Sequence, residues 1–461
     1  NYLIEIQFIG YEKLSLKVEV TSNSSDFDLG IIELEEVTEN LQEVEIRAET
    51  STIVQKIDRK VINIGKDLTS AGANAAEIMN NIQSVSVDNE GNISLRGNEH
   101  VRILVDGRPT NIRPSQMLQQ ISSNSIKSIE LITNPSAKYN PEGMSGIINI
   151  VLNKNTNLGF NGNINTGITK GLNTRFNGSL DLNYRAGKLN FFANYGLYDG
   201  KSETRGQANR VENNSDLGFN WVDDNASHLL KTGLDYYVND KNILSFYTVQ
   251  NIFNSDVTRS STVDYLNGDF QNLDQLSVVE LENNTQTYNL NYKHNFDEKG
   301  HHIEFEANIS NTDGPETAVF QEMNNPANPI LNYEDDIMNH RKNVTINLDY
   351  VNPLSEKSKL ELGLETRTID MENARITTQH GFVYDDEGNV IGTEPLEDTE
   401  YQYDREIYSA YATFSRKLEK WTMQLGARFE SYVAEAILDQ EKIFEDDYIT
   451  LYPSAFVTYN P

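Results

Sequence analysis

Beyond about residue 155 the chain repeats one pattern: apolar and polar side chains take turns, strand after strand. "FNGSLDLNYR" puts Phe176, Leu180, Leu182 and Tyr184 on one face and Asn177, Ser179, Asp181, Asn183 and Arg185 on the other. "TYNLNYKHNF" opposes Tyr288, Leu290, Tyr292 and Phe296 to Asn289, Asn291, Lys293 and Asn295, and "HIEFEANIS" opposes Ile303, Phe305, Ala307 and Ile309 to Glu304, Glu306, Asn308 and Ser310. Period two is the signature of a strand whose faces meet different surroundings. Roughly twelve such strands are expected before Pro461, many longer than the ~5–6 residues usual in soluble sheets. Tight joints are expected near residues 186–188, 239–241, 297–300, 353–358 and 418–420, and longer connections near 207–227, 314–339 and 381–401.

The first third reads differently. In residues 1–40, Tyr2, Ile4, Ile6 and Phe8, then Leu14, Leu16, Val18 and Val20, suggest two half-buried strands of a small β-sandwich. Residues 41–154 mix α and β. "GANAAEIMNNI" spaces Ala75, Ile78, Met79 and Ile82 for a helix, with Asn74 as its cap. "HVRILVDGRP" is a strand closing in an Asp-Gly turn, "SQMLQQI" a second short helix, and "SIKSIELIT" and "GIINIVLNK" are strands around a Pro-bearing loop.

Composition narrows the class. No segment approaches the ~18 consecutive apolar residues of a membrane helix, but a membrane-spanning strand needs only ~9–11 residues with one apolar face. A formal charge of −31 argues against a nucleic-acid binder, which needs surplus Lys and Arg on phosphates. With no cysteine there are no disulfides, thiolate metal sites or Cys nucleophiles. A polar face rich in Asn, Glu and Arg opposite Leu, Tyr and Phe suits an all-β antiparallel transmembrane barrel, lipid outside and water within. A large soluble β-sandwich or propeller is the alternative, although no propeller-length repeat is seen.

"ISLRGNEHVRILVDGRP" followed by "SIKSIELITNPSAKYNPEGMSGIINIVLNK" resembles the plug domain of TonB-dependent outer-membrane receptors, in the wording common in Bacteroidetes-type envelopes. "YLIEIQFIGYEKLSLKVEV" is similar to the later strands of the carboxypeptidase-regulatory-like sandwich that precedes such plugs. The resemblance implies a partial sandwich over residues 1–40, a plug over 41–154 and the N-terminal part of a barrel over 155–461. The family barrel has 22 strands, so further strands are expected beyond those counted here. It also implies the outer membrane of a Gram-negative bacterium and active uptake of a large or scarce nutrient. A non-transporting, plugged-barrel scaffold in a larger envelope complex is the alternative.

The same resemblance assigns candidate residues. Glu43, Val44, Glu45 and Ile46 stand where the family carries its TonB box, a short strand offered to the energy-transducing TonB protein; an ordinary linker is the plainer reading. Arg96, Gly97, Arg102, Asp106 and Gly107 match the plug core, where a charge could pair with wall carboxylates such as Glu304 or Glu361. Their plainer reading is turn chemistry. Asn134, Pro135, Pro141, Glu142 and Gly143 form a loop before the last plug strand. The tyrosines suit an interfacial belt. Outer-membrane lipid, lipopolysaccharide and a surface lipoprotein are expected partners, and acidic outer loops offer carboxylates to a divalent cation such as calcium. His301–His302 lacks HExxH spacing, "YDDEGN" departs from a calcium loop, and no P-loop, Rossmann glycines or nucleophile elbow appears, so no enzyme or dedicated metal site is expected.

Overall fold

The computed structural model describes residues 2–6, 14–18, 30–33, 53–64, 73–88, 92–99, 101–109, 114–121, 123–133, 135–139, 146–153 and, apart from residues 212–213, 267–271, 298, 329 and 386, 159–459. The chain divides into two compact units, residues 1–52 and 53–461. In the first, β1 (Tyr2–Ile6) pairs antiparallel with β2 (Leu14–Val18), Ile6 opposite Leu14. Leu14 and Leu16 are half-buried while Ser15 and Lys17 are exposed, the expected alternation.

The second unit opens with a small α+β domain. Its mixed sheet runs in the order β3 (Ile53–Gln55), β4 (Lys60–Asn63), β9 (Ile126–Ile132), β10 (Gly146–Leu152), β7 (Val101–Val105), β8 (Arg108–Pro109), with β10 and β7 parallel. A hairpin, β5 (Val85–Val87) with β6 (Ile93–Leu95), stands apart. Helix α1 (Ala75–Asn80) begins where Asn74 Oδ1 accepts from the Glu77 amide at 3.0 Å, which satisfies one of the first-turn donors. It turns Ala75, Ile78 and Met79 into the core. Helix α2 (Pro114–Gln120) adds Met117 and Leu118, and β9 and β10 add Ile126, Ile129, Ile148 and Ile150. Strands covered on both faces read as near-continuous apolar runs, hence "SIELI" and "GIINIV".

Next comes a 13-stranded antiparallel sheet. Its path is β11 (Gly159–Lys170), β12 (Thr174–Ala186), β13 (Leu189–Arg210), β14 (Ser215–Asn239), β15 (Asn242–Tyr265), β16 (Leu273–Asn295), β17 (His302–Asp313), β19 (Tyr333–Ser355), β20 (Ser358–Thr377), β23 (Thr399–Lys417), β24 (Trp421–Leu438) and β25 (Glu441–Tyr459). β18 (Glu316–Glu322) pairs with β16 and β19, and β21 (His380–Tyr384) forms a separate hairpin with β22 (Val390–Pro395).

The register turns alternation along one strand into rows across many. Leu244, Tyr292, Phe305, Leu348 and Leu364 stand in line on adjacent strands, a row that continues through Ala410 to Phe429 and Leu451. A nearby row on the opposite face is Asn291, Glu306, Asn347, Glu365, Ser409 and Glu430. The apolar side chains face outward: Ile164 is 72% exposed and Leu364 57%, whereas Asn289 on the other face is 1%. Such an uncovered apolar band far exceeds what a protein surrounded only by water leaves bare.

The expected tight joints lie between β12 and β13, β14 and β15, β16 and β17, β19 and β20, and β23 and β24. The long connections need correction. Residues expected in loops at 207–227, 314–339 and 381–401 largely continue the ladders: β13 and β14 run to Arg210 and from Ser215, and β18, β21 and β22 occupy the other two. The opposite-end joints between β11 and β12 and between β24 and β25 are also short. Strands of up to 25 residues outrun the ~9–11 needed to cross a bilayer. Beyond the apolar band, backbone pairing alone keeps the sheet going, and polar Ser, Thr, Asn and Asp stretches extend it.

Candidate functional site between the inner domain and the wall

The α+β domain touches the inward faces of β12, β13, β14, β15, β19 and β24, so the wall curls around it. The β7–β8 turn is one anchor. Asp106 and Gly107 both have positive φ, 53° and 82°, the two-residue hairpin geometry for which Asp-Gly is selected. Asp106 Oδ1 accepts from the Leu152 amide at 2.9 Å and the Gly107 amide donates to Asn149 Oδ1 at 2.7 Å. Asp106 Oδ2 lies 3.5 Å from Lys231 Nζ of β14. Turn chemistry and contact with the wall are thus combined in one aspartate.

A second anchor is formed by residues 135–139. Lys138 Nζ meets Asp349 Oδ2 of β19 at 3.3 Å, and the Tyr411 hydroxyl donates to the same carboxylate. Burial opposes the Lys138 charge, but Asp349 outweighs it and the ammonium binds its proton more tightly than usual. Arg428, 1% exposed, donates from Nη1 to the Lys138 carbonyl at 3.4 Å, from Nη2 to Glu365 at 2.5 Å and from Nε to Glu430 at 2.6 Å. Arg367 closes the cluster on Glu365 at 2.9 Å and Glu430 at 3.2 Å. A Cβ on Gly426 would come 2.9 Å from that of Ala137, so glycine admits the loop to the wall.

Helix α2 forms the third anchor. Gln120 Nε2 donates to Asn251 Oδ1 at 3.2 Å, and a Cβ on Gly196 would lie 2.6 Å from the Gln120 carbonyl oxygen. Ser125 Oγ donates to Asp181 Oδ2 at 2.7 Å, and Leu229 and Val249 pack against the inner core.

Within the domain a polar relay crosses the sheet. Glu130 Oε2 accepts from Arg59 Nη1 at 2.8 Å and from Asn149 Nδ2 at 3.0 Å. Arg59 also holds Asp58 at 2.6 Å and lies over the Tyr139 ring at 5.8 Å. Burial raises the Asp58 pKa, but the bonds and charge of Arg59 bring it below the usual carboxylate value.

Arg96 and Gly97, with φ of 54° and 80°, make a turn closed by mutual Leu95–Asn98 backbone bonds of 2.9 and 3.1 Å. Arg96 lines a cleft of about 160 Å³ with Arg59, Lys60, Ser84 and Thr133. Arg102 is half-buried on β7 opposite Ile147. The wall carboxylate that takes the Lys138 ammonium is Asp349; Glu304 accepts from Asn291 at 2.7 Å, and Glu361 pairs with Lys359 at 3.0 Å. Pro135 is half-buried beside Ser136 and Ala137. Glu43, Val44, Glu45, Ile46, Asn134, Pro141, Glu142 and Gly143 lie outside the described residues. Lys138, Arg428, Glu130 and Asn149 were not singled out from the sequence. A lone polar residue inside each apolar run, "SIELI" and "GIINIV", was the available signal for the last two. Among the described residues no group of three or more His, Asp or Glu side chains is placed to hold a metal. In "YDDEGN", Asp385 Oδ1 instead accepts from its own turn amides, Glu387 at 3.0 Å and Asn389 at 2.8 Å.

Comparison with known proteins bears on both parts. Residues 47–147 match the TonB-dependent Receptor Plug Domain, and residues 294–461 match the Outer membrane protein beta-barrel family. Among solved structures, the ferric yersiniabactin uptake receptor FyuA from Yersinia pestis is similar at 12% identity and a TM-score of 0.39, over 87% of this chain and 79% of that one. The siderophore receptor PiuA from Acinetobacter baumannii is similar at 14% and 0.49, over 87% and 61%. The ferric-catecholate import receptor Fiu from E. coli K12 is similar at 10% and 0.44, over 88% and 81%. The two family matches fall on the inner domain and on the wall whose apolar rows face outward, and the three anchors join the two. The chain is a TonB-dependent receptor of the Gram-negative outer membrane, a transport protein in which a plug sits against the inner face of a β-barrel wall.

Proposed function

We propose that this receptor imports a large or scarce nutrient, and that TonB opens the path by pulling on the segment containing Glu43, Val44, Glu45 and Ile46. The observation that carries this is the contrast between the plug's core and its seam. The core is a continuous cluster of buried Ile, Leu, Met and Val, whereas Asp106–Lys231, Lys138–Asp349, Ser125–Asp181 and Gln120–Asn251 hold the seam. Each is an isolated polar contact, Gln120–Asn251 buried and the others part-exposed, with a net worth of about 1 kcal/mol, so together they keep the plug in register without locking it. Tension applied before Ile53 reaches β3 first, a three-residue strand at the sheet edge, and then the Arg59–Glu130 relay. The test deletes residues 43–46 and follows nutrient uptake at matched outer-membrane levels. Loss of uptake is expected. Unchanged growth without TonB, together with a stable stoichiometric envelope complex, would instead assign the receptor to a scaffold role.

A further inference from the structure

Charge is sorted along the strands of the wall. Each tight joint carries one lysine: Lys188 between β12 and β13, Lys241 between β14 and β15, Lys299 between β16 and β17, Lys357 between β19 and β20, and Lys420 between β23 and β24. The joints at the opposite end hold no Lys or Arg, and Asp385, Glu387, Glu397, Asp398 and Asp439 stand there. Asp240, Asp297, Glu298, Glu356 and Glu419 share the tight joints, so that end is neutral while the other is acidic. In a chain of net charge −31 this is a local surplus of cations. Short turns of outer-membrane barrels face the periplasm, which places the lysines at the periplasmic leaflet.

All five lysines are exposed, and none of the described carboxylates pairs with them. Asp297 Oδ1 instead accepts from the amides of Lys299 at 2.9 Å and His301 at 3.1 Å. Lys188 Nζ donates to the Val238 carbonyl at 2.7 Å and Lys241 Nζ to the Phe296 carbonyl at 3.3 Å, each reaching from its own joint toward the next. An ammonium has three donors, so one such bond holds it at the rim and leaves two N–H groups for a ligand. Aromatic rings mark the depth. Trp421 packs on Tyr459 at 4.6 Å, and Phe296 on His301 at 4.4 Å, with Trp421, Tyr459 and Phe296 all exposed. Trp and Tyr settle where hydrocarbon meets headgroups, and lysine stems reach from there to the phosphates. Lys420 and Lys299 follow that rule, one residue from Trp421 and three from Phe296.

We propose that the lysines of the tight joints bind headgroup phosphates of anionic phospholipid in the periplasmic leaflet, so that this rim selects phosphatidylglycerol over zwitterionic lipid. A zwitterionic headgroup brings its own cation beside the phosphate; phosphatidylglycerol leaves the phosphate uncompensated. The attraction of an anionic lipid surface for Lys accumulates residue by residue and is screened by salt. The import reading is not needed for this binding. The experiment places the full-length receptor in phosphatidylcholine vesicles with a trace of spin-labelled phosphatidylglycerol or spin-labelled phosphatidylcholine. It reads the fraction of label immobilised at the protein surface. The proteins are wild type; Lys188→Gln, Lys241→Gln, Lys299→Gln, Lys357→Gln and Lys420→Gln combined; the same five positions changed to Arg; and the control Lys170→Gln/Lys201→Gln/Lys342→Gln, further from the tight joints. Wild type is expected to favour phosphatidylglycerol at least threefold at low salt. The preference should vanish in the fivefold Gln variant and in high salt, and persist in the Arg variant and the control. No preference in wild type, a preference that survives the five Gln substitutions, or an equal loss in the control would overturn the proposal. So would wild type that ignores lipid charge but sediments with purified peptidoglycan through these lysines, which would assign them to the cell wall. If the fivefold Gln variant does not fold, judged by heat-dependent gel mobility, the five single variants are measured. Each should lose part of the preference, and five unchanged singles would overturn the proposal equally.

Discussion

Three residues show how local chemistry sets local outcomes. Asn74 satisfies the Glu77 amide at the start of α1, so Asn74→Ala is expected to cost about 1 kcal/mol while Asn74→Ser keeps most of it. Hydrogen exchange across residues 75–80 reads the difference. Asp58 is held below its ordinary pKa by Arg59, so its contribution to stability is complete above the unfolded value and is lost as pH falls through the lowered folded value. Exchange protection around residues 55–60, normalised for the intrinsic rate, should therefore fall as pH drops below about 4 in wild type, and much less in Asp58→Asn. Arg428 is the most demanding of the three, because removing it leaves Glu365 and Glu430 close together with only Arg367 between them. Arg428→Met should lower resistance to denaturant by about 3 kcal/mol, with partial recovery in Arg428→Met/Glu430→Gln. Of these, only Asn74 was legible in sequence, since a cap is defined by its neighbours in the chain. Arg428 lies far in sequence from Lys138 and Glu365, and no local pattern joins them.

At the scale of elements, α2 meets the wall through backbone, and that contact is open to a steric test. A side chain at Gly196 must push against the Gln120 carbonyl, so Gly196→Val should loosen α2 without altering the β13–β14 ladder. Faster exchange in residues 114–121 and increased permeability to large antibiotics are the expected readouts; unchanged exchange there would mean the helix does not rest on that glycine. The elements themselves were largely readable. Period two gave the wall strands, 3.6-residue spacing gave α1, "SQMLQQI" read as a second short helix where α2 forms, and Asp-Gly gave the β7–β8 turn. The extent of β13 and β14 was not readable, because acidic and Asn-rich stretches look like loops until a neighbouring strand supplies hydrogen-bond partners. The partners of Asp106 were likewise hidden, since Lys231 is brought to it only when the wall curls.

For the whole molecule the governing fact is that neighbouring residues on one strand live in different solvents. Leu348 belongs to the outward apolar row and Asn347 to the inward polar row beside Glu306 and Glu365. Leu348→Arg should therefore cost about 2–4 kcal/mol and reduce the amount of folded barrel, whereas Asn347→Arg, one residue away, should be tolerated. The most direct test follows from the absence of native cysteine, which lets single cysteines be placed along β19 without background. Spin labels at positions 343 to 350 in bilayer-embedded receptor would report collisions with oxygen, enriched in hydrocarbon, and with a water-soluble nickel chelate. Oxygen contact is predicted at 344, 346, 348 and 350 and not at 343, 345, 347 and 349. Equal accessibility at all eight positions, or the opposite phase, would contradict a wall with lipid on its Leu and Tyr face and the plug on its Asn and Glu face.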